Sequence, residues 1–206
     1  MKAIGRGWQY SVYDIGKGRV FKKYNSRFLA YLILLRDCFP YFEHPLWKFP
    51  AYYERCRMEA VYSMQEILHT TIQSWMLGNP RVVGTLDYEQ DFVVSLRKKL
   101  EQGGREEGER IVDSFVEFNK VLIEHSLIDR NFLITDNFGM NADGNIILMD
   151  LGELCTDAKT IRHHLAKRPW ATFDVVNSLP ANLRDYFVNE MDKAFYKKSD
   201  TIETIL

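Results

Sequence analysis

The stretch from residue 124 to residue 153 constrains the fold of this chain more than any other. Two short apolar runs, 132–134 and 146–149, flank a turn region rich in Gly, Asn and Asp, and this pattern is typical of a β-hairpin. Such a hairpin would bring Asn131, just before its first strand, close to Asp150, just after its second. An amide oxygen and a carboxylate placed together suit Mg²⁺, a hard cation that prefers oxygen ligands. The simpler alternative is that both side chains only cap turns.

The composition of the chain restricts its class and its compartment. A length of 206 residues suffices for one domain or two small lobes with a hydrophobic core. The net charge of −1 creates no field that would attract nucleic acid or an anionic membrane, so we expect no nucleic-acid partner. Three cysteines without metal-ligand spacing disfavour disulfides and zinc and fit a reducing compartment. The N-terminal sequence is not a signal peptide, and the longest nearly apolar run, 28–35, is too short to span a bilayer. We therefore expect a cytoplasmic protein without a transmembrane segment.

The N-terminal half is predicted to form a small antiparallel sheet with helices. Alternating side chains and paired glycines predict a hairpin over 3–23, which begins at Gly5 and Gly7. Its second strand, 19–24, carries Lys22. The spacing of apolar and turn residues predicts helices over 26–37 and 54–75 and strands over 81–86 and 91–96.

An unusual segment, 25–57, follows the hairpin. Aromatic residues are dense in it, and Pro40, Pro45 and Pro50 break any long helix. One interpretation is that its aromatic residues pack on the domain's own core. The alternative is that the part from 28 to 53 is a docking surface for a protein substrate or a regulatory partner, because exposed aromatic patches mark interfaces.

The C-terminal half is predicted to be mainly helical around the central hairpin. Its charged, Gly-rich stretch 97–108 is predicted to be a linker between two lobes. An amphipathic helix over 109–124 leads into the hairpin, and further helices are predicted over 156–166 and 182–197. The basic cluster 162–168 is either a solvated face or a patch for phosphate or acidic groups.

The order of these parts resembles the protein-kinase fold. A glycine-rich hairpin, a strand with Lys, a helix with Glu, two strands, a helix, a polar loop, a hairpin and Asp-x-Gly follow one another in both. The sequence GRGWQYSV at 5–12 is similar to the kinase phosphate loop Gly-x-Gly-x-x-Gly-x-Val, with Tyr10 in place of the third Gly. The sequence VFK at 20–22 is similar to the strand that presents the phosphate-binding Lys. The sequence SLIDRN at 126–131 resembles the catalytic loop that ends in the metal-binding Asn, and DLG at 150–152 resembles Asp-Phe-Gly.

More narrowly, the chain resembles the small bacterial kinase-like proteins of the YrbL type, the PhoP regulatory network family. These proteins are about as long, and they share a Ser-Leu-x-x-x-Asn-x-Leu loop and a strand that ends in an Asp-x-x-Gly-Glu-like sequence. The resemblance implies an α+β, bilobal protein-kinase-like fold. A small antiparallel-sheet N-lobe would cover 1–100 and a reduced helical C-lobe would cover 101–206, and together they would form one kinase-like domain.

The resemblance also implies binding of ATP and Mg²⁺. Lys22 would contact the phosphates as a point charge, and backbone N–H groups near the glycines would approach them closely. Glu59 would form an ion pair with Lys22, with Glu54 and Glu66 as alternative partners. The residues implied are, for the nucleotide, Gly5, Gly7, Val12, Lys22 and Glu59, and, for the metal, Asn131 and Asp150.

The predicted catalytic loop departs from the kinase pattern at the residue that turnover requires. Ser126 stands in place of the Asp that accepts the proton of the substrate hydroxyl, a role worth about 10²–10⁴-fold in rate. A serine hydroxyl cannot accept that proton at neutral pH. Asp129, in the same loop, is the predicted substitute base, and Asp136 is a weaker candidate. The catalytic prediction therefore rests on Asp129 and Ser126.

Two functions are compatible with this pattern, and a third ranks below them. The first is an atypical ATP-dependent kinase that transfers phosphate to a protein substrate. The second is a pseudokinase, a regulatory binding module that lacks turnover. A small-molecule kinase ranks third, because an acidic substrate pocket would be expected in the C-terminal helices, where the sequence has the basic cluster.

Overall fold

The computed structural model describes residues 1–38 and 48–196. Within these ranges the chain has seven α-helices and three antiparallel sheets, so the predicted α+β class is confirmed. Most of the buried side chains form one large hydrophobic core, and a smaller cluster lies beside the N-terminal sheet. None of the helices in the described ranges is long and apolar enough to cross a bilayer.

The N-terminal sheet contains five strands. They are β1 (Lys2–Arg6), β2 (Tyr10–Gly16), β3 (Arg19–Tyr24), β4 (Arg81–Val82) and β5 (Tyr88–Asp91). They pair antiparallel in the order β1-β2-β3-β5-β4. The tight turn between β2 and β3 needs glycine, because Gly16 and Gly18 adopt φ angles of +79° and +70°. The predicted strand 19–24 is β3, but the predicted hairpin is a three-stranded meander, because a second turn at Gly7 separates β1 from β2.

The predicted strands 81–86 and 91–96 are displaced in the structure. Only the first two residues of the former are a strand, and most of β5 lies between the two predicted strands. The reason is the burial of alternate β5 side chains. Tyr88 is fully buried, and the Gln90 amide donates to the carbonyl oxygens of Leu77 at 2.8 Å and Leu148 at 2.7 Å.

Two helices pack beside this sheet. They are α1 (Arg27–Cys38) and α2 (Phe49–His69). Helix α1 agrees with the prediction, whereas α2 begins earlier than predicted, because Pro50 in its first turn is compatible with a helix. Phe49 and Tyr53 are buried in the small cluster, so these aromatic residues pack on the protein's own core. Phe28 is 71% exposed, and residues 39–47 of the predicted docking segment lie outside the described ranges.

The predicted linker 97–108 is wrong, because this region is helical. Helix α3 (Leu96–Gln102) is followed almost directly by α4 (Arg105–Glu124). Leu96 and Leu100, one turn apart, are buried and hold α3 on the core. Gly108 is buried in α4, and the Leu183 side chain packs so close to it that a Cβ there would lie 2.5 Å from Leu183 Cδ1.

The central hairpin exists, but it starts later than predicted. The remaining strands are β6 (Val94–Ser95), β7 (Ile128–Asp129), β8 (Phe138–Met140), β9 (Ile146–Leu148) and β10 (Leu154–Cys155). Strands β8 and β9 form the hairpin, β6 joins it beside β8, and β7 pairs with β10. The predicted first run, 132–134, is not a strand. Phe132 adopts a φ of 51° and is fully buried in the large core.

The C-terminal region is helical, as predicted. It contains α5 (Ala158–Leu165), α6 (Phe173–Ser178), α7 (Arg184–Met191) and a π-helical turn over Asp192–Tyr196. Fully buried Phe115, Phe138 and Phe187 join α4, the hairpin and α7 in one core. Part of the basic cluster is structural, because Arg168 forms an ion pair with Asp192 and His164 hydrogen-bonds the carbonyl oxygen of Arg130.

Candidate active site

A cleft of about 320 Å³ lies between the N-terminal sheet and the end of the central hairpin. This volume is at the lower end of the range typical of small-ligand sites. The sheet contributes mainly apolar side chains together with Asp91, and the residues that flank the hairpin strands include Asp136 and Asp150. The lining residues are Ile4, Gly7, Trp8, Gln9, Tyr10, Val12, Val20, Lys22, Gln90, Asp91, Phe92, Val93, Asp136, Met149 and Asp150.

Lys22 projects into this cleft from the middle of the sheet. Its neighbours in the register are Val12 on β2 and Tyr88 on β5. The ammonium group donates to the carbonyl oxygen of Met149 and lies 5.5 Å from the centroid of the Tyr88 ring. Burial lowers the pKa of Lys22 to about 8, although the Asp150 carboxylate acts in the opposite direction. The structure therefore places Lys22 and Asp150 in the lining of the same cleft.

Asp150 is held at the end of β9 by local hydrogen bonds. Its Oδ1 accepts the N–H of Gly152 at 3.0 Å, and its own N–H donates to the carbonyl oxygen of Asn137 at 3.3 Å. Gly152 approaches the Tyr10 ring so closely that a Cβ would lie 3.4 Å from it. The Asp-x-Gly sequence thus directs a carboxylate towards the cleft and lets the β1–β2 turn pack over it.

The turn between β1 and β2 covers one side of the cleft. The Gly7 N–H donates to the carbonyl oxygen of Tyr10 at 2.8 Å and closes the turn. Tyr10, at the position of the third glycine of the resembled motif, is buried and packs edge-on against Tyr24 and Tyr88. Gly7 lines the cleft, whereas Gly5 lies within β1 opposite Val12 and is not among the lining residues.

The predicted ion pair between Lys22 and Glu59 is not formed. The Glu59 carboxylate lies 3.5 Å from the Arg130 guanidinium. The alternative partners are also engaged elsewhere, since Glu54 pairs with Arg57 and Glu66 accepts the Thr156 hydroxyl. The packing of α2 against β10 explains this correction, because it directs Glu59 towards the loop after β7.

The predicted metal pair is also corrected. Asn131 is exposed, its amide donates to Glu153, and it does not line the cleft. The hairpin begins at Phe138, and Asp136, just before it, lines the cleft together with Asp150. Asp136 accepts a two-pronged contact from Arg97, at 3.1 and 2.7 Å. The sequence feature that could have indicated Asp136 is a carboxylate just before a short apolar strand.

Neither predicted catalytic residue lines the cleft. Asp129 is fully buried in β7, where both carboxylate oxygens accept the Asn137 amide at 3.1 and 3.0 Å. Burial raises the pKa of Asp129 to about 8, although the Asn137 hydrogen bonds oppose this. Ser126 ends α4 with a φ of 54°, and its N–H donates to the carbonyl oxygen of Ile123 at 2.8 Å. Asp129 is therefore an interior group, and Ser126 is part of a helix terminus.

Glu153 was missed as a site residue, although it directly follows the Asp-x-Gly motif. Its carboxylate accepts the Gln9 amide from the β1–β2 turn at 3.5 Å and the Asn131 amide from the loop after β7. Burial, together with the nearby carboxylates of Asp150 and Glu59, raises the pKa of Glu153 to about 7. Glu153 thus connects the turn above the cleft to the loop below it.

The carboxylates of the cleft fit Mg²⁺ bound together with phosphates. Among the described residues, no group of three or more His, Cys, Asp and Glu side chains forms a metal cage. Mg²⁺ in phosphate sites is usually held by one or two carboxylates, the other positions being filled by phosphate oxygens and water. Asp136 and Asp150, which line the same cleft as Lys22, form a donor set of this kind.

No family model matches the chain, and no curated protein matches its sequence at a significant level.

Proposed function

We propose that this protein is an atypical, small protein-kinase-like phosphotransferase that binds ATP and Mg²⁺ in the cleft and acts on a protein substrate. The observation that carries the proposal is that Lys22 and Asp150 line one cleft beneath the glycine-containing β1–β2 turn. A cation, a carboxylate and a turn with a close backbone approach are the parts that phosphoryl transfer requires, since it depends on positioning and charge neutralisation.

Each side of the cleft has a role in this proposal. The apolar side chains of Ile4, Val12 and Val20 would contact the nucleobase. Lys22 would neutralise phosphate oxygens. Asp136 and Asp150 would hold Mg²⁺, which neutralises phosphate charge when bound. Asp136 replaces Asn131 in this assignment.

A pseudokinase is the second candidate, and the position of Asp129 favours it. The predicted base has no exposed surface and both of its oxygens face Asn137, so it cannot receive a proton from an acceptor hydroxyl in the cleft. Ser126 does not line the cleft either. The protein would then bind Mg-ATP as a structural ligand and regulate a partner without turnover.

Calorimetric titration with ATP in the presence of Mg²⁺ tests the nucleotide site. The wild type should bind, and Lys22→Met and Asp150→Ala should each weaken binding at least about tenfold, because each removes a charge from the phosphate end. Asp143→Ala is the matched control, since Asp143 is an exposed carboxylate in the β8–β9 turn of the same hairpin. An absence of binding by the wild type would refute both candidates.

Transfer of label from γ-labelled ATP then separates the two candidates. A kinase transfers label to itself or to a protein of a cell lysate, and Asp150→Ala abolishes the transfer. Binding of Mg-ATP without any transfer supports the pseudokinase.

A further inference from the structure

Asn25, which directly follows β3, holds the turn that covers the cleft. It is 3% exposed, and its side-chain Nδ2 donates to the carbonyl oxygens of Gly7 at 2.8 Å and Trp8 at 3.1 Å. Its backbone N–H donates to the carbonyl oxygen of Gln9 at 2.7 Å. One residue outside the cleft therefore binds three successive carbonyl groups of the turn.

Asn25 is itself held on two sides. The Ser11 hydroxyl donates to Asn25 Oδ1 at 2.7 Å, and the Tyr53 hydroxyl of α2 donates to the Asn25 carbonyl oxygen at 2.8 Å. The turn also rests on α2 directly, because the Trp8 ring lies 5.5 Å from the Tyr52 ring, centroid to centroid. A buried amide with all its groups paired is costly to displace, since its partners would remain unpaired.

These bonds determine where the N–H groups of the turn point. In a trans peptide, the N–H is directed opposite to the carbonyl of the same peptide plane. Because the carbonyls of Gly7 and Trp8 point back towards Asn25, the N–H groups of Trp8 and Gln9 point away from it. Neither N–H donates to a protein acceptor in the described parts of the chain, and both residues line the cleft. Successive free N–H groups on a turn form a site for anions.

We propose that Asn25 is a positioning residue for the phosphates of the nucleotide, an assignment that rests on the proposed nucleotide-binding function. Asn25 does not touch the nucleotide. It pre-organises the β1–β2 turn so that the N–H groups of Trp8 and Gln9 are directed at phosphate oxygens before the ligand binds. Pre-organisation of this kind raises affinity because the ordering cost of the turn is met during folding.

The test compares ATP with adenosine, which lacks phosphates. Both ligands are titrated calorimetrically, with Mg²⁺ present, into the wild type, Asn25→Ala and Asn25→Asp. Asn25→Ala should bind ATP about tenfold more weakly, the factor expected when one or two neutral hydrogen bonds no longer order the turn, and adenosine with unchanged affinity. Asn25→Asp should lose at least as much ATP affinity, because it places an oxygen against the carbonyls of Gly7 and Trp8 while keeping the acceptor for Ser11.

Asn119→Ala is the control for loss of a buried asparagine. Asn119 lies on α4, where its amide donates to the Phe115 carbonyl oxygen at 2.9 Å, and its removal should leave both affinities unchanged. Thermal unfolding of every variant verifies that it is folded at the titration temperature. If Asn25→Ala does not fold, Asn25→Asp, which keeps the size of the side chain, supplies the comparison.

The outcomes separate this inference from the proposed function. Wild-type ATP affinity in both Asn25 variants, or an equal loss for ATP and adenosine, overturns the positioning role and leaves nucleotide binding intact. A wild type that binds neither ligand overturns the proposed function and the positioning role together. Weaker ATP binding with unchanged adenosine binding is the supporting result.

Discussion

Replacing Asp129 by asparagine should remove a large part of the pH dependence of stability between pH 5 and pH 8. The carboxyl group has no exposed surface, and burial raises its pKa from 3.8 to about 8. Between these two values the folded protein keeps a proton on Asp129 that the unfolded chain has released. The free energy of unfolding therefore falls as the pH rises through this window.

The magnitude follows from the pKa difference. Each pH unit within the window is worth about 1.4 kcal/mol, so Asp129 alone should lower the free energy of unfolding by on the order of 4 kcal/mol from pH 5 to pH 8. An asparagine has the shape of the neutral acid and still offers one acceptor to the Asn137 amide. Asp129→Asn should therefore match the wild type at pH 5 and exceed it at pH 8.

Urea unfolding at half-unit pH steps measures this difference. The wild type carries other titrating groups, among them Glu153 with its pKa of about 7, so the quantity of interest is the variant minus the wild type at each pH. If the free energies of unfolding of the two proteins change with pH in parallel, Asp129 is not a buried, protonated group. Because Asp129 does not line the cleft, Asp129→Asn should also keep Mg-ATP binding. Loss of phosphate transfer with unchanged stability would restore Asp129 as the catalytic base.

Two other perturbations test the cleft and its floor. Because the pKa of Lys22 is about 8, its contribution to Mg-ATP affinity, measured as the wild type relative to Lys22→Met at each pH, should be constant below that pH and should fall by up to about tenfold per pH unit above it. Calorimetry of the two proteins should find this dependence in the ratio of their affinities. Gly139→Ala should destabilise the protein by about 1–3 kcal/mol, since a Cβ there would lie 2.5 Å from Val93 Cγ2 and 2.9 Å from the Val94 carbonyl oxygen. Urea unfolding checks this against Gly84→Ala, where the nearest atom would be 3.8 Å away, and equal losses would contradict the packing argument.

The sequence predicted those features that depend on local patterns. The β2–β3 hairpin has glycines where the backbone is left-handed, and its second strand carries Lys22. Helix α1 follows apolar spacing. Asp150 ends a short apolar strand, as its position after 146–149 indicated. Local patterns place these residues on their strands, and the packing of the two segments then brings them into one cleft.

The errors concern features that depend on distant contacts. The three consecutive apolar residues at 132–134 fit the pattern of a strand. In the structure, however, Phe132 packs in the core beside Trp170 and His164. The strand then starts at Phe138, and Asp136, not Asn131, lines the cleft together with Asp150. A shift of a few residues in one strand thus changed which side chain lines the cleft.

The burial of a side chain and its ion-pair partner also could not be predicted from local sequence patterns. The polar residues around Asp129 are typical of a loop, but β7 pairs with β10 and Asp129 is fully buried there. Glu59 lies on the predicted helix, but the direction of that helix places its carboxylate in an ion pair with Arg130. The predicted linker 97–108 is helical because Leu96 and Leu100 are buried and hold α3 on the core.

The sequence by itself predicted the α+β class, and its resemblance to the kinase fold singled out Lys22 and Asp150, which both line the cleft. Only the tertiary structure decided that Asp136 lines the cleft with them, that Asp129 is buried, and that Asn25 holds the β1–β2 turn above the cleft. The physical reason is that periodicity and turn residues encode local conformation. The exposure of a carboxylate, or the reach of Asn25 to three carbonyls of a turn, depends on how separate segments pack.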